Sequence, residues 1–62
     1  MVIRYMENGD MFYFSLEDGL IPQPGDCVEI HGVEHLVVSR KFDFDDRVVY
    51  VNVKRVRNEI ED

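Results

Sequence analysis

Cys27, His31 and His35 fall within one short stretch, and they are the side chains here best suited to chemistry. Histidine is the usual acid–base and metal residue, and a thiolate beside a histidine is an activated nucleophile. The spacing argues against either use. A two-residue turn at His31-Gly32 pairs Ile30 with Val33 and Val28 with His35, which sends Cys27 and His35 to opposite faces of the hairpin. His31 then reads as a solvated turn residue. His35 reads as a core residue in an aromatic's place, hydrogen-bonded to backbone. No Cys/His spacing suits a structural zinc. No Ser/His/Asp set, phosphate-binding loop or other catalytic motif is present. The expectation is a protein that is not an enzyme and uses no cofactor and no metal.

Three further groups of residues suggest binding. Asp43, Asp45 and Asp46 alternate with Phe42 and Phe44. Three carboxylates invite a hard cation, but the glycine and the distant glutamate of an EF-hand are missing, so a solvated turn is the plainer reading. The two rings point the same way; one can be core and the second is surplus. An aromatic tip ringed by acids fits a protein-binding hot spot, which makes Phe42, Asp43, Phe44, Asp45 and Asp46 the candidate protein-binding residues. Second, Arg40, Lys41, Tyr50, Lys54, Arg55 and Arg57 supply the parts of a single-stranded nucleic-acid face, rings for bases and cations for phosphates. Against this stand the net charge of −6 and acids within a Debye length, and basic residues also serve to block sheet edges. Third, Glu7, Asp10, Glu17, Asp18, Asp26, Glu29 and Glu34 are mostly expected outward. Such a surface can occupy the basic groove of a nucleic-acid enzyme, or serve solubility alone.

The elements that position these residues are short. A chain of 62 residues makes one domain and buries only about 60% of its unfolded surface. One cysteine closes no internal disulfide, so the core or a partner chain must supply the stability; a homodimer through a strand edge or the Met6/Met11/Tyr13 face is one such route. No window keeps a helical period, while Val, Ile, Phe and Tyr alternate or cluster. Five strands are expected, over about 2–7, 10–16, 27–31, 33–41 and 48–54. Asn8-Gly9 is a strong hairpin signal, since both turn residues need positive φ. Direct pairing around it sets Tyr5 against Phe12 and Ile3 against Phe14 on the core face with Leu16, leaving Val2, Arg4, Met6, Met11, Tyr13 and Ser15 on the other. In the second hairpin Val28, Ile30, Val33, His35 and Val37 share the buried face. Pro24-Gly25 fits the middle of a type II turn, and Leu20 or Ile21 pins the loop before it. In the last strand Val49, Val51 and Val53 face inward. A tight turn at Asp45-Asp46 sets Val38 rather than Val37 against Val53, so a bulge or a longer loop through Phe42–Arg47 is required.

The order of an N-terminal hairpin, a proline loop, then Pro24-Gly25-Asp26-x-Val28-x-Ile30-x-Gly32-x-x-His35-x-Val37, Phe42, an acidic turn and Val49-x-Val51-x-Val53 resembles small SH3-like β-barrel proteins. These recur as uncharacterised open reading frames in bacteria, phages and prophages. There an aromatic, usually Tyr, often holds the place of His35, and Trp is frequent at Phe42. The resemblance implies a fold and a mobile-element origin, not an activity.

The resulting expectation is an all-β protein, a single small five-stranded antiparallel SH3-like barrel or strongly bent sheet over residues 1–57, with a short acidic tail over 58–62. It is expected to be a non-enzymatic protein-interaction module, a phage or prophage accessory or inhibitor protein that binds a host protein through the aromatic–acidic loop or a strand edge. The alternative is a small barrel that binds single-stranded nucleic acid. No stretch is apolar enough to span a membrane, and an unpaired cysteine fits the reducing cytoplasm.

Overall fold

The computed structural model describes residues 1–16 and 20–56. Five strands, β1 (Val2–Glu7), β2 (Asp10–Leu16), β3 (Cys27–Ile30), β4 (Val33–Asp43) and β5 (Val48–Arg55), form one sheet in the order β2-β1-β5-β4-β3. The sheet curls into a half-barrel, so the all-β, strongly bent sheet expected from the sequence is the fold. One pairing departs from a wholly antiparallel arrangement: β1 and β5 run parallel, with Ile3 beside Val49 and Tyr5 beside Val51. Parallel neighbours need a long connection, and the chain through β2, β3 and β4 provides it. The expected acidic tail, residues 58–62, lies outside the described residues, as do Glu17 and Asp18.

The turns follow from residues that tolerate the left-handed region. Asn8 and Gly9 have φ of 54° and 85°, and His31 and Gly32 have 55° and 78°; both pairs match the positive φ values of a type I′ turn. At Gly25 φ is 97°, and the Asp26 N–H donates to the Gln23 carbonyl at 3.0 Å, as a type II turn across Pro24-Gly25 requires.

Two bulges set which residues face the interior. Direct pairing holds for Glu7 with Asp10 and Met6 with Met11, but the register then shifts, and Tyr5 pairs with Tyr13, Arg4 with Phe14 and Ile3 with Ser15. Phe12 is the extra residue. A bulge turns two consecutive side chains to one side, so Phe12 and Tyr13 both face inward, while Phe14 and Leu16 turn outward. This corrects the expected core: Phe14 and Leu16 are 57% and 75% exposed. The second bulge is at Val38, between the pairs Val37–Val53 and Ser39–Asn52. It is the device the valine pattern demanded, and it lies inside β4, ahead of the turn. The turn itself is the four residues between the paired Asp43 and Val48.

The interior holds Ile3, Tyr5, Ile30, Val37, Val49, Val51 and Val53, with Phe12, Ile21 and Val28 packed against it. Removing these apolar side chains from water is the main favourable term, about 25 cal/mol per Å². Ile21 pins the long loop, whereas Leu20 is exposed. Val33, expected inside, is exposed at the hairpin end.

Candidate functional site

The Cys27/His35 region is structural in its geometry. His35 is 2% exposed. Its Nδ1 lies 2.9 Å from the Val33 carbonyl, which can only accept, so Nδ1 carries the proton and donates. Its ring packs on Phe12 with centroids 5.1 Å apart. Cys27 is exposed and pairs with Leu36 on the other face. His31 holds the turn, and the edge of one ring meets the face of the other where it packs against Tyr13, at 5.4 Å. Two aromatic–imidazole pairs thus join β2 to the far hairpin across the mouth of the half-barrel.

The acidic loop is also built by its own side chains. The Asp45 and Asp46 N–H groups both donate to Asp43 Oδ1, each at 3.1 Å. This is the way aspartate stabilises a turn. Arg47, with φ of 57°, closes the turn into β5. Among the described residues no group of three acidic, His or Cys side chains is arranged to hold a metal ion. The rings of Phe42 and Phe44 stack at 6.0 Å, and the Arg40 guanidinium lies 5.2 Å from the Phe42 ring centre. Phe44 is 78% exposed.

The proposed basic set divides between faces. Arg40 pairs with the inward Val51 and joins Phe42 at the open end of the interior. Arg55 pairs with His35 at the end of β5. Lys41 and Lys54 are exposed on the outer face, where Lys41 pairs with Tyr50 and Lys54 with Leu36. Arg57 lies outside the described residues. Two outer-face residues were not singled out from the sequence: Arg4 pairs with Tyr50 across the parallel β1–β5 join, and Phe14 pairs with Arg4. The result is one row running Phe14, Arg4, Tyr50, Lys41 across four strands. The outward direction of Arg4 is legible from alternation in β1. Its neighbour Tyr50 is not, because that pairing is non-local, and Phe14 is hidden by the bulge.

The third feature is the edge strand β2. Between Met11 and Leu16 it carries no charged residue, and Met11, Tyr13, Phe14 and Leu16 are exposed. The other edge, β3, has four residues with Glu29 opposite Glu34. No family model, curated protein or solved structure matches this chain.

Proposed function

We propose that this protein is a non-enzymatic protein-interaction module that accepts an extended segment of a partner polypeptide as a sixth strand along β2. The observation that carries the reading is the uncharged, apolar edge from Met11 to Leu16. Natural sheets protect such edges with lysine, proline or inward charge, and β2 has none of these over that span. The bulge interrupts the edge close to the turn and leaves Tyr13 to Leu16 in regular register with β1. Backbone hydrogen bonds to an added strand would give affinity, and alternate side chains would give specificity. The partner segment is apolar opposite Phe14 and Leu16, and basic at the end that meets Asp10 and Glu7, in keeping with the net charge of −6. The stacked Phe42/Phe44 tip with Asp45 and Asp46 supplies a second, smaller contact. Kinship with small SH3-like phage and prophage proteins, and a cytoplasmic location, belong to the same proposal; the five-stranded bent sheet and the lone cysteine support them.

The test is selection from a displayed library of random peptides against the protein, followed by titration of the enriched peptides. Peptides with alternating apolar residues and a terminal cation are expected, and Leu16→Glu, at an exposed edge position, is expected to abolish their binding. Enrichment of nothing beyond background, or equal binding by Leu16→Glu, would overturn the reading.

A further inference from the structure

We infer that the outer face of the sheet is a binding site for single-stranded nucleic acid, centred on the row Phe14, Arg4, Tyr50, Lys41. This goes beyond the β2 edge and shares only Phe14 with it. Strand alternation and the β1–β5 parallel pairing bring an aromatic ring, a cation, a second ring and a second cation into line. Adjacent strands lie about 4.8 Å apart, so Phe14 and Tyr50 stand on the order of 10 Å from each other with Arg4 between them. Phe14 is mostly exposed and Tyr50 half-buried, so each has surface to offer a base. The Arg4 guanidinium sits 5.9 Å from the Tyr50 ring centre, a position from which it can reach a phosphate or itself stack on a base.

The local charge favours a polyanion even though the whole chain is acidic. Arg4, Lys41 and Lys54 project from this face, and none has a carboxylate partner among the described residues. The next row holds Met6, Asn52 and Ser39, with Asn52 Nδ2 donating to Ser39 Oγ at 3.0 Å; it is polar and uncharged apart from the methionine. The acids on the same side stand at its ends. Asp43 stands two positions from Lys41 on β4, within a Debye length, so its charge offsets part of the attraction at that end; its Oδ1 is held by two backbone N–H groups of its own turn. Glu34 is seven positions before Lys41 on β4, on the order of 20 Å at about 3.3 Å per residue, beyond a Debye length of about 8 Å. It stands near Lys54, whose partner Leu36 is two positions along, so Arg4 and Lys41 carry the attraction. A site assembled from exposed rings and unpaired cations, with hydrogen-bonding side chains beside them, is the physical recipe for holding unpaired bases on a tracked backbone.

The experiment is fluorescence anisotropy with labelled single-stranded DNA and RNA of about twelve nucleotides, and a duplex of the same length, at about 20 and about 200 mM salt. Either single strand, or both, should bind more tightly than the duplex, and the comparison of DNA with RNA identifies the natural class. With two phosphates neutralised, by Arg4 and Lys41, and a slope of about −0.7 for each, the tenfold rise in salt should weaken binding about 25-fold. Lys41→Glu and Tyr50→Ala should each weaken it about tenfold or more. Tyr50→Phe retains the ring and the packing and should bind within about twofold of wild type. Glu29→Gln, on the distant β3 edge, should leave binding unchanged. Three results would overturn the inference: no binding at low salt, equal binding by Lys41→Glu, or displacement by a poly-glutamate peptide as effective as displacement by oligonucleotide. The last would assign the face to an acidic protein.

Discussion

Truncating Phe12 and Phe14 separately tests the register on which both surfaces depend. In direct pairing both rings would be interior, and each truncation to alanine would cost about 3–5 kcal/mol. With the bulge at Phe12 the two costs separate. Phe12 is half-buried and packs on the core and the His35 ring, so Phe12→Ala should cost about half the fully buried value, or about 2 kcal/mol. Phe14 is 57% exposed beside Arg4, so Phe14→Ala should cost less than about 1 kcal/mol. Urea unfolding followed by far-ultraviolet circular dichroism reads the difference. With a slope of about 1 kcal/mol per molar, the midpoint should fall by about 2 M for Phe12→Ala and by under about 1 M for Phe14→Ala. A domain this small has about 3–5 kcal/mol in total, so Phe12→Leu provides a milder step if the alanine variant is partly unfolded. A Phe14→Ala loss equal to that of Phe12→Ala would refute the bulge and return Phe14 to the interior.

The same titration distinguishes the two roles of His35. His35→Ala should cost about 3 kcal/mol through the lost ring, while His35→Phe should cost about 1 kcal/mol, because only the bond to the Val33 carbonyl disappears; a large loss in both would mean that the hydrogen bond dominates. Gly32→Ala meets no atom within 4 Å of its new Cβ but keeps φ at 78°. It should therefore cost about 1 kcal/mol from backbone strain alone and lower Tm by about 4–8 °C; an unchanged Tm would contradict the type I′ turn.

Much of the fold was legible because short turns carry their own chemistry. Asn8-Gly9, His31-Gly32 and Pro24-Gly25 each name a turn through the φ values they permit. Val49, Val51 and Val53 name the inward face of β5 by alternation. His35 could be placed in the core from its register with Val28. The bulge at Phe12 was not legible, because Met11-Phe12-Tyr13-Phe14 is apolar throughout and alternation cannot choose a register in such a run. The bulge at Val38 was legible only as a conflict: Val37 and Val53 could not both face inward across a tight turn. The parallel β1–β5 pairing had no local signal, and without it Arg4 cannot be assigned to Tyr50. The candidate loop was readable as residues, but the engagement of Asp43 with its own turn and the stacking of Phe42 on Phe44 depend on geometry that composition does not encode.

The Phe12 bulge bears on how much weight the exposed rings can carry. It turns Phe14 and Leu16 into water, which forfeits about 1.5–3 kcal/mol for each side chain that burial would have gained. It also brings Phe12 onto His35 and Tyr13 onto His31, closing the mouth of a half-barrel whose two edge strands are not hydrogen-bonded to each other. The outward position of Phe14 therefore has a structural cause that needs no ligand. Arg4 and Lys41 are different. Nothing in the packing requires two cations to flank Tyr50 on an acidic chain, and a neutral polar residue at either position would leave the core untouched. The case for a nucleic-acid face thus rests on the cations, and the case for strand addition on the absence of charge along β2. Lys41→Glu, three strands from β2, separates the two surfaces: it should weaken oligonucleotide binding and spare peptide binding, whereas Leu16→Glu, two positions from Phe14 on the same face, should weaken both.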